Sequence, residues 1–308
     1  MSRKSQHGFT LIECMIALTL GMLVIAAATA LLLTAQQTYL AIDDSARIDD
    51  AGASALTALK TAIRQAAYAD RSGMQAAPNP PPNALFGIDN AVPASRDEFD
   101  LRSRSRPAGI NGSDILVTRF MATDTAGKPA PYMLNCAGNM LKKTATQVDR
   151  EAVYNWSIFY IARSASGETK LLCRYLAETG RFSADAIVHG VEAMQFLYGV
   201  DRNGDGLPES FFQAAAIHGA DWAKVTAISI ALSIHGAASS SNGFANALQT
   251  DAAADIRHLF GEEYSMRHGA GDPGVRLDIA RLRPGERKRI HRTVRAIVML
   301  RNRPHGDL

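Results

Sequence analysis

This 308-residue chain has few cysteines, no early proline and little net charge, and each of these excludes something. The three cysteines, Cys14, Cys136 and Cys173, are too few and too far apart for a structural zinc site. No proline occurs before Pro78, so none interrupts a helix in the first part of the chain. The net charge is +3, from 33 basic and 30 acidic residues, which does not indicate a nucleic-acid-binding protein.

Charged residues are also missing between Glu13 and Asp43. The apolar run from Cys14 to Thr34 would be about 31 Å long as a helix, which is enough to cross a bilayer. Arg3 and Lys4 precede it, so the positive-inside rule predicts a single-pass protein whose N-terminus is cytoplasmic and whose remainder is exported.

Glu13 stands at the start of this apolar run, where an unpaired carboxylate costs a few kcal/mol. The small residue Gly8 precedes the run, whereas an ordinary secretory signal is cleaved after its apolar segment. The segment Gly8-Phe9-Thr10-Leu11-Ile12-Glu13 resembles the class III signal of type IV prepilins and type II secretion pseudopilins.

This resemblance implies that a prepilin peptidase cuts between Gly8 and Phe9 and methylates Phe9. It also implies that Glu13 attracts the N-terminal amine of a neighbouring subunit during assembly. The expected parts are a leader peptide (1–8), a transmembrane half-helix (9–34), an amphipathic half-helix (35–70) and a periplasmic β-rich head (71–308). The expected location is the bacterial inner membrane, and the pilus after assembly.

The periodicity of the apolar residues predicts an α+β fold, with one long helix packed on an antiparallel sheet as in pilins. The helix is expected from about Phe9 to about Ala69, with its stop at 71–73. Alternating apolar residues predict strands at 115–117, 156–161, 171–175, 191–200, 225–234 and 294–300. Segment 236–274 is expected to leave the sheet, partly mobile, with one short helical turn at 256–260.

Two passages of the head resemble the PilW family of type IV pilus assembly proteins. They are Val191 to Asp201, which runs into Arg-Asn-Gly-Asp-Gly206, and the final Leu300-Arg-Asn-Arg303. The resemblance implies a minor pilin that primes pilus assembly with other minor pilins and lies near the filament tip. Its implied partners are the major pilin, the prepilin peptidase, the inner-membrane assembly platform and a tip adhesin. The alternative is a J-type minor pseudopilin of type II secretion.

An acidic loop follows the first of these passages. Asp201, Asn203, Asp205 and Glu209 take the first, third, fifth and ninth positions of an EF-hand-like loop, with Gly206 sixth. The twelfth position is Phe212, so the usual bidentate glutamate is missing. The loop is therefore either a calcium site or an acidic hairpin turn, in which Asn-Gly and Asp-Gly are favoured. No cofactor is otherwise expected.

The two head cysteines and the basic segment 281–295 each have two or more interpretations. Cys136 and Cys173 form a disulfide if the head lies in an oxidising compartment, and are otherwise buried thiols. The seven Lys and Arg of the basic segment form a solvated face, or bind nucleic acid or lipid, or dock acidic neighbours. Interspersed apolar residues favour a folded element.

Motifs of the common enzyme classes are missing. The chain contains no Gly-x-Ser-x-Gly, His-Glu-x-x-His or P-loop pattern, and its eight histidines are scattered. We therefore predict that the protein is not an enzyme. A membrane-tethered periplasmic enzyme is the remote alternative.

Overall fold

The computed structural model describes residues 10–68, 84–93, 105–121, 134–139, 154–177, 181–239, 256–287 and 289–302. These residues form a long N-terminal helix followed by antiparallel sheets, which confirms the predicted α+β, pilin-like fold. The helices are α1 (Leu11–Gln65), α2 (Glu262–His268) and α3 (Pro284–Arg287). The strands are β1 (Leu85–Ile88), β2 (Ala91–Pro93), β3 (Ser105–Pro107), β4 (Ile115–Met121), β5 (Tyr154–Arg163), β6 (Thr169–Leu176), β7 (Phe182–His189), β8 (Val191–Val200), β9 (Ser210–Phe212), β10 (Val225–Ser239), β11 (Ile256–His258), β12 (Arg276–Asp278) and β13 (Arg289–Met299).

Two larger sheets build the head. The first has the strand order β1-β4-β5-β6-β7 and the second has the order β13-β10-β8-β9, with every pairing antiparallel. Ile228, Ile230 and Leu232 on β10 are fully buried in the same core as Leu59 and Ile63 of α1. The apolar alternation predicted for this strand is confirmed, because it buries one face of the second sheet against the helix.

The C-terminal end of α1 differs from the prediction. The helix ends at Gln65 rather than near Ala69, although the sequence has no glycine or proline there. The Ala67 N–H donates to the carbonyl of Arg119 on β4, at 2.9 Å, and Ala67 has a φ of 60°. Asn302 donates its side-chain amide to the carbonyls of Arg64 and Ala66, each at 3.2 Å. Contacts from distant parts of the chain therefore end the helix, and the predicted stop at 71–73 lies outside the described residues.

The segment after β10 also differs. The helical turn predicted at 256–260 is wrong, because residues 256–258 form β11, which pairs with β12. The helical residues come later, in α2, and residues 240–255 lie outside the described residues. β13 begins at Arg289, five residues before the predicted strand, and pairs with β10 up to Met299. Two arginines in its first half, Arg289 and Arg292, hid the start of this strand from a search for apolar alternation.

Candidate functional site

The two halves of α1 meet different surroundings. All residues from Thr10 to Gln37 are exposed, whereas from Ala41 onward one stripe of the helix is buried in the head. The buried residues of α1 are Ala41, Asp44, Ile48, Gly52, Ala55, Leu59, Ala62 and Ile63. Their spacing of three or four positions is that of one helix face. Among the described residues, α1 is the helix that is long and apolar enough to cross a membrane.

Glu13 lies in the first turn of the exposed half, where it closes the helix end. Its carboxylate accepts hydrogen bonds from the Thr10 N–H at 2.8 Å and from the Thr10 hydroxyl at 2.9 Å. Thr10 in turn caps the Glu13 N–H, which makes a reciprocal capping box. Gly8 and Phe9, the predicted processing site, lie outside the described residues.

The acidic loop after β8 brings three of its predicted ligands together. Carboxylate oxygens of Asp201, Asp205 and Glu209 lie within 4.8 Å of one another. Asp201 is almost fully buried, whereas Asp205 and Glu209 are exposed. The Asn203 amide donates to Asp205 at 3.1 Å, so all four predicted residues share one loop.

Backbone N–H groups of the same loop already use many of these oxygens. Asp201 accepts from Gly204 at 2.6 Å and from Gly206 at 2.7 Å. Glu209 accepts from the Arg202 N–H at 2.8 Å. These bonds stabilise the turn without an ion, and they leave oxygen lone pairs that could face one. Calcium binding by this loop stays a prediction.

The two head cysteines are adjacent in space. Cys136, in a short turn, is joined to Cys173, in the middle of β6, with their Cα atoms 6.1 Å apart. This separation is within the range that disulfides use. Cys14 lies alone on the exposed half of α1.

The basic segment holds neighbouring elements in place. On β13, Arg292 contacts Asp49 and Ser45 of α1. Arg295 donates to the carbonyls of His258 and Leu259. These arginines therefore connect the second sheet to α1 on one face and to the segment around β11 on the other, which supports the folded-element interpretation.

A buried polar cluster lies beneath this segment, and the sequence analysis did not predict it. Glu192 on β8 accepts from the Ser233 hydroxyl at 2.6 Å and lies 2.9 Å from Nδ1 of His291. Nε2 of His291 faces the Glu286 carbonyl at 3.1 Å. The hydroxyl bonds to the carboxylate and not to the imidazole, so this is not a nucleophile–base–acid arrangement. A lone glutamate within the apolar run 191–200 was the signal available in the sequence.

Two parts of the chain match known protein families. Residues 158–302, from β5 to the end of the described head, match the family model for the type IV pilus-assembly protein W. Residues 3–29 match the prokaryotic N-terminal methylation motif, which spans Glu13 and much of the exposed half of α1. This PilW domain and this prepilin-type motif together support a type IV pilus minor pilin. No curated protein matches it.

The two matches cover complementary parts of this minor pilin. The PilW match contains the acidic loop, the buried Glu192 cluster and β13, which are features of the head. The methylation motif contains the part of α1 that leaves the head. Together they support a role in type IV pilus assembly, and the J-type pseudopilin of type II secretion is not favoured.

Proposed function

We propose that the mature PilW-type chain begins at Phe9 and waits in the bacterial inner membrane with its head in the periplasm. It then enters the pilus, where it primes assembly with other minor pilins and stays near the tip. The major pilin, the prepilin peptidase, the inner-membrane assembly platform and a tip adhesin are its proposed partners.

The observation that carries this proposal is the uncovered half of α1. Leu11, Leu18, Met22 and Leu31 are each more than 70% exposed, and no residue of 10–37 is buried by the head. Such a surface needs lipid before assembly and the helices of other subunits after it. One helix can serve both purposes, because both surroundings are apolar and the extracted helix keeps its backbone hydrogen bonds internally.

In this proposal, Glu13 makes the contact specific for a neighbouring subunit whose leader has been removed. In the membrane its carboxylate is held by Thr10 of the same chain. A neighbouring subunit whose leader has been removed offers an N-terminal ammonium group, which forms a stronger, charge-assisted bond with a carboxylate. The exchange of Thr10 for this amine would draw an incoming subunit into register.

Processing is tested by substituting Gly8. Gly8→Val should block cleavage, so that the full-length chain stays in the membrane fraction and is absent from sheared pili. Ser5→Ala, also in the leader, is the control and should be processed normally. Detection of the uncleaved Gly8→Val chain in pili would overturn the proposal.

The role of Glu13 is tested by comparing two substitutions in the same capping box. Glu13→Ala should be cleaved normally but should be several-fold depleted from sheared pili. Thr10→Ala removes the cap but leaves the carboxylate, so it should assemble much better than Glu13→Ala. Equal depletion would mean that Glu13 acts only by starting the helix.

The chain is proposed to have no catalytic activity and to bind no nucleic acid directly. A PilW-type pilin belongs to a structural family, and the arginines of β13 already contact protein groups. Hydrolase assays on the purified chain should give no turnover. Turnover that one substitution in the head abolishes would favour the tethered enzyme instead.

A further inference from the structure

Among the described strands, β7 is an outer strand of the first sheet, and its middle is exposed. It pairs with β6 on one side and ends the strand order β1-β4-β5-β6-β7. Four consecutive residues, Ser183, Ala184, Asp185 and Ala186, are exposed. Successive side chains of a strand point to opposite faces, so four exposed residues in a row leave both faces uncovered in the middle of β7, whereas Phe182 and Val188 near its ends are buried.

β7 carries few of the features that usually protect an outer strand, namely the exposed Asp185 and a register shift against β6 near Ile187. Isolated proteins place lysine, proline or charged residues on such strands to prevent pairing with another chain. The sequence of β7, from Phe182 to His189, has no Lys, Arg or Pro. Its one acidic residue, Asp185, accepts a hydrogen bond from the Tyr175 hydroxyl at 2.7 Å.

The outer strand of the second sheet shows the contrast. β13 carries Arg289, Arg292 and Arg295, and their side chains bond to β10, to α1 and to the end of β11, respectively. Lateral pairing at β13 therefore meets long charged side chains. At β7 it meets two alanines, a serine and the short Asp185, which is already bonded to Tyr175. Small side chains allow another backbone to approach closely.

We propose that β7 accepts an extended strand from a different subunit of the pilus, which becomes the sixth strand of the first sheet. Main-chain hydrogen bonds supply the contact, as in other cases of strand addition. This proposal rests on the proposed function, because it requires the chain to enter the filament. β7 also packs against α1, so a subunit that packs along α1 is within reach of this strand.

The partner strand is expected to come from another kind of subunit rather than a second copy. Two copies of β7 paired antiparallel about Asp185 would place two carboxylates opposite each other, which is destabilising. A strand with a neutral or basic residue opposite Asp185 avoids this repulsion. The chemistry therefore fits a heterotypic contact between different pilins.

The test uses the full-length chain in cells that assemble pili. The double substitution Ala184→Lys with Ala186→Lys should lower the amount of this chain in sheared pili at least fivefold, without lowering its level in the membrane. Ala223→Lys, at an exposed alanine away from β7, is the control and should enter pili normally. Equal incorporation of the double variant and the control would overturn the proposal.

Hydrogen exchange of the unaltered chain gives an independent measurement. Backbone amides of 183–187 should exchange at least tenfold more slowly in isolated pili or tip complexes than in the detergent-solubilised chain. Unchanged exchange at these amides would refute strand addition even if the lysine variants fail to assemble. Absence of the unaltered chain from pili would instead refute the proposed function, and this proposal with it.

Discussion

The imidazole of His291 and the carboxylate of Glu192 meet at 2.9 Å inside the head, with side-chain exposures of 2% and 0%. Nε2 of His291 faces the Glu286 carbonyl, so both ring nitrogens point at oxygen atoms. Burial by itself raises the pKa of Glu192, but the hydrogen bond and charge of His291 outweigh burial and lower that pKa below its usual value.

Removal of one member of this buried pair is expected to be costly. Glu192→Ala should lower the free energy of unfolding by about 3–5 kcal/mol, because it leaves the buried His291 ring and the Ser233 hydroxyl without their partner. Chemical denaturation of the detergent-solubilised chain measures this change. Glu263→Ala breaks the exposed pair with Arg267 and should change stability by less than about 1 kcal/mol. If the two substitutions lower stability equally, the buried pair contributes no more to stability than the exposed pair does.

Asp272 should make the head less stable as the pH rises. Burial, and then the nearby charge of Asp89, raise the pKa of Asp272 to about 7. A folded-state pKa above the unfolded value means that the folded chain binds the proton more tightly. Stability is therefore lost as pH rises from about 4 to about 7, by a free energy on the order of 4 kcal/mol.

The substitution Asp272→Asn should remove part of this pH dependence and stabilise the chain at neutral pH. Thermal unfolding between pH 4 and pH 8 measures it. Asp50→Asn, at an exposed position on α1, should keep the pH dependence of the unaltered chain. If Asp272→Asn and Asp50→Asn behave alike, burial does not hold the proton on Asp272.

Gly87 and Tyr198 are packed so closely that a methyl group does not fit between them. A Cβ at Gly87 would collide with the Tyr198 hydroxyl and lie 2.6 Å from Cζ of its ring. Gly87→Ala should therefore cost about 1–3 kcal/mol of stability. Gly285→Ala, where a Cβ has open space, should be close to neutral.

A second substitution tests whether this collision is the cause. The Tyr198 hydroxyl is buried and has no hydrogen-bond partner within the described part of the chain. Tyr198→Phe removes the atom nearest to the added methyl, so it should restore part of the stability lost in Gly87→Ala. If the double variant is no more stable than Gly87→Ala, the lost stability comes from a change in the backbone and not from this collision.

The Cys136–Cys173 bond should stabilise the head by restricting the unfolded chain. The two cysteines are 37 positions apart, and closing a loop of that length contributes about 3–4 kcal/mol on the chain-entropy estimate. Cys136→Ser with Cys173→Ser should lower the unfolding temperature, whereas Cys14→Ser should not. Mass analysis of the chain from cells, without reductant, checks the pairing. Two free thiols at Cys136 and Cys173 would contradict it.

Calcium binding remains a prediction for the acidic loop. If the ion binds, terbium luminescence should saturate on the intact chain and should be lost with Asp205→Ala, which removes an exposed loop carboxylate. Asp221→Ala, at an exposed carboxylate outside the loop, should keep the signal. A signal that Asp205→Ala leaves unchanged would leave the hairpin turn as the interpretation of the loop.

The sequence predicted the strands in the middle of the sheets better than those at their ends. Ile228, Ile230 and Leu232 were found because one face of β10 packs large apolar residues into the core, whereas its other face, also buried, carries the small residues Ala231 and Ser233. β7 and β9 lie at the ends of the strand orders and were missed. The middle of β7 is exposed on both faces, so apolar and polar residues need not alternate there. The sequence therefore carries no alternation that would reveal this strand.

The membrane-spanning half of α1 and its acid Glu13 were determined by the sequence alone. A run of about 20 residues without charge needs apolar surroundings whatever the rest of the chain does. The end of α1 at Gln65 was decided only in the folded head, where Arg119 and Asn302 bind its last backbone groups. Hydropathy is a local property of consecutive residues, whereas these hydrogen bonds join residues that only the tertiary fold brings together.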